Sequence, residues 1–107
     1  MARDSSHREG FLDHILVAEE ANELRSLYLD YLRGEIDTFR SLLARKDLEG
    51  IRELGHRLKG SGGSYGFDDI SELGETIQNL QPPGPWEEIE TLFHRVEERY
   101  EQIAEGV

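Results

Sequence analysis

From Glu20 onward, apolar residues return at three- and four-residue steps: Leu24, Leu27, Tyr28, Tyr31, Leu32, Ile36, Phe39, Leu42 and Leu43. That period predicts one long helix over residues 20–46, with Gly34 inside it at a cost of about 1 kcal/mol relative to Ala. Upstream, residues 1–10 (MARDSSHREG) are polar and patternless and read as a mobile arm. Residues 11–18 (FLDHILVA) are apolar but short, so the pattern leaves open a strand-like piece or a short helix lying across a core. Asp47 is placed to cap a second helix, 48–63, striped by Leu48, Ile51, Leu54 and Leu58. Asp68 or Asp69 is placed to cap a third, 68–81, with Glu72 completing a capping box and Ile70, Leu73, Ile77 and Leu80 as its stripe. Gln81-Pro82-Pro83-Gly84 ends it. Pro85 suits the first position of a fourth helix, 85–104, where Glu87 and Glu88 meet the positive end of the helix dipole. Its stripe is Trp86, Ile89, Phe93, Val96, Tyr100 and Ile103. Four amphipathic helices with short turns and no comparable strand signal predict an all-α fold. The expected architecture is an antiparallel, up-down-up-down four-helix bundle, residues 11–107, with a short N-terminal extra segment.

Composition narrows what such a bundle can do. With 107 residues, the chain holds one domain and buries roughly two-thirds of its extended surface, enough for a core without staples. Cys is absent, which excludes disulfides, thiolate metal sites and cysteine nucleophiles. Lys and Arg number 12 against 23 Asp and Glu, for a net charge of −11. A surface that acidic repels nucleic-acid backbones and anionic lipid heads, so neither nucleic acid nor membrane is expected as a partner. No apolar run approaches the roughly 20 residues that cross a bilayer, and the first ten residues lack a signal-peptide core, so a cytoplasmic location is expected. Met1 favours a free-standing protein over a piece of a hybrid kinase. A monomer is expected, since no second long apolar stripe is left over for a partner.

The histidines separate by the direction in which each projects. At about 100° per residue, His56 falls roughly 145° from the leucine stripe of its helix, hence toward solvent. Its neighbours on that face are Arg52, Lys59, Gly60 and Gly63. His94 also faces solvent, but among Glu90, Glu97, Glu98 and Glu101. Carboxylates favour the protonated ring, whereas Arg52 and Lys59 favour the neutral, nucleophilic ring and would meet any anion formed on it. Such exposed pairing is worth only about 1 kcal/mol, so the cations assist the site without making it. Gly60, Gly62 and Gly63 leave room beside His56 for an added group and an approaching surface; alternatively, they unwind the helix toward the turn at Tyr65-Gly66.

Residues 56–67, HRLKGSGGSYGF, resemble the signature of the histidine-containing phosphotransfer (HPt) domain of two-component phosphorelays. The likeness spans roughly Asn22 to Ile103 and includes the order and lengths of the four helices. It implies that His56 accepts a phosphoryl group from a receiver-domain aspartate and passes it to another. It also implies that Lys59 offsets phosphoryl charge, that Gly60 lets the partner approach, that the Ser61 hydroxyl follows it, and that Gln78 on the neighbouring helix hydrogen-bonds the acceptor. Arg52, Arg57 and Gly63 would join Gly60 and Ser61 in docking. The implied partners are response-regulator receivers and a sensor or hybrid histidine kinase. The receiver would supply Mg²⁺, and this chain would need no cofactor or metal. Nothing here resembles the ATP-binding portion of a kinase, so a phosphoryl carrier is implied in place of a self-sufficient enzyme.

Other readings carry less. Glu53-Leu54-Gly55-His56 spells the E-x-x-H of di-iron bundles, but both ligands project away from the core and a second E-x-x-H is missing. The Gly60–Gly66 run follows a helix C-terminus, where carbonyls are exposed, so it makes a poor phosphate loop. The serious alternative is an HPt-like module that docks receivers without phosphoryl chemistry. His7 and His14 are read as solvent or packing residues, and Trp86, Phe93 and Tyr100 as core or cap residues.

Overall fold

The computed structural model describes the backbone of residues 2–106 and the side chains of residues 21–106. Four helices follow one another: α1 (Ala2–Ala44), α2 (Leu48–Tyr65), α3 (Asp68–Gln78) and α4 (Trp86–Ala104). Each packs on its chain neighbour, α4 closes back on α1, and the diagonal helices lie farther apart, meeting through the core side chains between them. This is the expected all-α four-helix bundle, and no strand occurs among the described residues.

The boundaries differ from expectation in ways that have local causes. α1 begins at Ala2, so the backbone is helical where an arm (1–10) and an undecided segment (11–18) were predicted. Adding a residue to an existing helix is far easier than starting one, and a polar sequence that lacks a buried stripe can still propagate a helix. His7 and His14 fall among the residues whose side chains are not described. Asp47 caps α2 as predicted, its carboxylate accepting from the Gly50 N–H at 2.9 Å. α2 runs to Tyr65 and ends in a Schellman turn: Gly66 is left-handed (φ 85°), and the Phe67 N–H donates to the Gly62 carbonyl at 2.7 Å.

The capping box on α3 does not form. Its N-cap is Phe67, without a side-chain bond, while Asp69 spends its carboxylate on its neighbour's N–H at Ile70 and on Arg99 of α4. α3 stops at Gln78 instead of residue 81, and Pro85 is the N-cap of α4, one position before its expected place.

The core joins Tyr28, Leu32 and Phe39 of α1 to Ile51, Leu54 and Leu58, to Ile70 and Ile77, and to Ile89, Val96 and Ile103. Each such side chain contributes about 1.5–3 kcal/mol by leaving water. Three members of the predicted α1 stripe are not in it: Leu24, Leu27 and Tyr31 are 51%, 58% and 38% exposed. The nine apolar positions of α1 cover a wider arc than α2 and α4 can cover together. An apolar strip is therefore left at the surface, and the absence of a spare stripe no longer argues for a monomer.

α2 and α3 make the closest pairing, and glycine is the reason. A Cβ built on Gly55 would fall 2.5 Å from the Gln78 nitrogen, one on Gly62 would fall 2.6 Å from the Ser71 nitrogen, and one on Gly74 would fall 2.6 Å from the Gly55 carbonyl. Gly62 is thus a packing glycine and not part of the space beside His56.

Tyr28 sits at the junction of α1, α2 and the Gly66 turn. It stacks on Tyr65 and Phe67 with centroids 4.8 and 5.2 Å away, and its hydroxyl lies 3.2 Å from Ser61 Oγ. Burial pushes its phenol from 10.0 up to about 12. The folded state thus favours the neutral phenol: this contribution is complete below pH 10 and is lost as pH rises from 10 toward 12. Alkaline titration of the fold is expected to lose about 2–3 kcal/mol on this account, and Tyr28→Phe is expected to flatten that limb. Denaturant midpoints at pH 9, 10.5 and 12 test this, and an equally steep alkaline loss in Tyr28→Phe would refute the assignment.

Candidate functional site

The side chains of α2 sort by direction. Leu54 and Leu58 point inward, Gly55 and Gly62 lie against α3, and His56, Lys59 and Gly60 are exposed. His56 thus faces solvent as the projection predicted. Its ring is not free to turn, because Nδ1 lies 3.1 Å from Nε2 of Gln78, the final residue of α3. Gln78 reaches it because its own backbone nitrogen rests over Gly55, the residue before the histidine. The outer ring nitrogen, Nε2, has no hydrogen-bond partner among the described residues.

The cations around the ring are all matched. Arg57 donates to both oxygens of Glu35, at 2.8 and 3.1 Å, and Tyr31 adds a third bond to the same carboxylate at 3.0 Å. Glu35 is the one buried charged side chain among the described residues, and its hydrogen bonds push the Arg57 guanidinium still higher. Lys59 Nζ lies 3.5 Å from Glu75, and Arg52 Nη1 lies 3.9 Å from Glu49. The two cations expected beside His56, Arg52 and Lys59, are there, but each already has a carboxylate partner.

The predicted site residues divide accordingly. His56, Arg52, Arg57 and Gln78 line one shallow hollow together with Glu49 and Glu53. Lys59 is one turn along. A Cβ on Gly60 would meet nothing within 4 Å and one on Gly63 only Ser71 Oγ at 3.8 Å, so both leave open surface as expected. Ser61 corrects its expected role: it is half-buried, with its hydroxyl turned to Tyr28 and to the Leu58 carbonyl, so it offers a partner little. Glu35, Gly55 and Gly74 were missed. Glu35 lies seven residues after the buried Tyr28 on one helical face, and Gly55 lies seven before Gly62, so their spacing carried the signal.

His94 is exposed with Nδ1 3.0 Å from Glu97 Oε1, the carboxylate setting predicted for it. No cluster of three or more His, Asp or Glu side chains suited to a metal occurs among the described residues, which leaves the di-iron reading without a ligand set. No helix among them is long and apolar enough to cross a membrane.

The His56 imidazole thus stands on an open helix face, held through its inner nitrogen and one turn from a bare glycine. The Hpt domain family matches residues 23–106, and the chain belongs to that family. It is accordingly one of the phosphotransfer domains of two-component phosphorelays, a class that carries phosphoryl groups and works with receiver domains and kinases. The chain is also 38% identical over 55 residues to the aerobic respiration control sensor protein ArcB of Escherichia coli O157:H7, of Escherichia coli K12 and of Shigella flexneri. That match covers 51% of this chain and 7% of each relative. No solved structure matches.

Proposed function

We propose that His56 accepts a phosphoryl group from a receiver-domain aspartate and passes it to a second receiver in a multistep relay in the cytoplasm. The observation that carries this reading is the anchoring of Nδ1 by Gln78, which leaves Nε2 as the ring nitrogen open to a partner. A neutral imidazole has one N–H and one lone pair, and the bond made by one nitrogen decides the state of the other. With the Gln78 NH₂ toward the ring, Nδ1 accepts and the proton resides on Nε2. After a half-turn of the amide, Oε1 accepts from Nδ1–H and the Nε2 lone pair is free to react. In the transfer step that lone pair forms the N–P bond, the P–O bond to the aspartate breaks, and the carboxylate leaves with its electron pair. The ring then carries a positive charge that Nδ1–H shares with Gln78 Oε1. The receiver brings Mg²⁺ and its own charge clamp, and this chain brings the positioned nucleophile.

Open Gly60 and Gly63 support the close approach such a step needs. Tyr31, which shares Glu35 with Arg57, extends the same surface toward exposed Leu27, and this apolar strip suits a receiver's docking face. The test is incubation of the protein with phosphorylated receiver domains, followed by acid treatment of the label. Acid-labile label on this chain is the expected result. No label from a broad panel of receivers, with helicity intact, would favour a module that docks without chemistry.

A further inference from the structure

The backbone of Gln78 is held at both ends of its own residue. Its nitrogen rests over Gly55, where a Cβ would come within 2.5 Å, and its carbonyl accepts a hydrogen bond from Arg52 Nε at 3.3 Å. That carbonyl belongs to the last turn of α3, where four carbonyls lack helical partners and need others. Arg52 therefore satisfies one orphan acceptor. It does so from the position one turn before His56 on α2, and its side chain lines the same hollow as the histidine and Gln78. Three links run in series: Arg52 to the Gln78 carbonyl, the Gln78 backbone to its amide, and that amide to His56 Nδ1.

We infer that Arg52 is a positioning residue for the acceptor: by anchoring the Gln78 carbonyl at the end of α3, it holds the Gln78 amide on His56 Nδ1 and so governs which ring nitrogen carries the proton. Gly55 makes the seat and Arg52 fastens it. The geometry separates this role from charge compensation. Nε of Arg52, the atom nearest the stem, is spent on the carbonyl, and its outer nitrogen leans toward Glu49 at 3.9 Å. It also separates the role from docking, because a guanidinium turned onto α3 has fewer donors left for a partner. The inference rests on the reading of His56 as acceptor for its consequence in transfer, but not for its effect on the ring.

The experiment compares wild type, Arg52→Met and Gln78→Ala in the whole 107-residue chain, with ¹⁵N spectra of the imidazole and phosphoryl transfer from a receiver measured side by side. Met keeps an unbranched apolar stem and removes every donor. The Arg52 side chain is 35% exposed and the carbonyl it would release lies at a helix end, so all three proteins are expected to remain folded, which thermal melts of each check. Arg52→Met is expected to shift the His56 ring ¹⁵N signals in the same direction as Gln78→Ala, and to lower the maximal transfer rate by about tenfold with little change in the receiver concentration at half-rate. Unchanged ring signals in Arg52→Met beside shifted ones in Gln78→Ala would overturn the inference. So would unchanged signals in both, since Gln78 would then not govern the ring. A weaker half-rate concentration with normal signals and maximal rate would make Arg52 a docking residue instead. If wild type takes no phosphoryl group at all, the proposed relay fails, while the spectra still decide whether Arg52 holds the ring.

Discussion

Gly74→Ala is expected to destabilise the bundle by about 3 kcal/mol, whereas Gly34→Ala, the same chemical change in another helix, is expected to stabilise it by up to about 1 kcal/mol. In an open helix interior the exchange restricts the unfolded chain and adds helix propensity, so it normally helps. Gly34 is such a position, with nothing within 4 Å of the added methyl. At Gly74 the methyl would land on the Lys59 nitrogen, 2.6 Å from the Gly55 carbonyl and 2.9 Å from the Leu58 carbonyl carbon. All three are backbone atoms of α2, which cannot turn aside as a side chain can. Relief requires α3 to move away, which opens the pairing that holds Ile70 and Ile77 against Leu54 and Leu58. In a domain of about 100 residues, each kcal/mol shifts the melting temperature by about 4–8 °C, so thermal melts place the two variants on opposite sides of wild type. A Gly74→Ala protein as stable as wild type would refute the close α2–α3 approach.

His56→Gln is expected to lose phosphoryl acceptance by at least about 100-fold while changing stability by less than about 0.5 kcal/mol. Gln keeps a polar chain of similar reach but has no ring nitrogen lone pair, so the N–P bond has no nucleophile from which to form. The fold is indifferent, because the ring is exposed and its one bond, to Gln78, lies at the surface. Transfer from a labelled receiver and a urea titration, run on the same preparation, read both halves. Retained acid-labile label on the variant would move the acceptor elsewhere, with His94 the next exposed imidazole to examine.

These expectations divide along the line between what one helix determines and what needs two. The outward direction of His56 follows from the leucines of its own helix, and the Asp47 cap and the Gly66 turn are equally local, so all three were legible in the chain. The family signature across residues 56–67 then attached a chemistry to that direction. The exposure of Leu24, Leu27 and Tyr31 was not legible, because it depends on how much of α1 its two neighbours cover. Nor was the role of Gly55, Gly62 and Gly74. A glycine reads as loss of propensity until the partner helix is seen lying across it. Asp69 is no cap because α3 begins at Asp68, which places Asp69 inside the first turn, where its carboxylate pairs with Arg99, thirty residues away. Gln78 stands between the two cases, since its helix face was readable but the seat beneath its backbone was not.

The paired cations of the site bear on how tightly a cargo would be held. Arg57, Lys59 and Arg52 already face Glu35, Glu75 and Glu49, so a phosphoryl group on His56 would enter surroundings close to electrical balance. To be gripped, it would have to draw a cation off its carboxylate, and the buried Glu35 would resist most, since an abandoned charge there has little water to turn to. In the relay proposed above, a carrier built this way would keep its loaded form shallow in energy. It would take the group when a receiver offers it and retain no trap to slow its departure to the next.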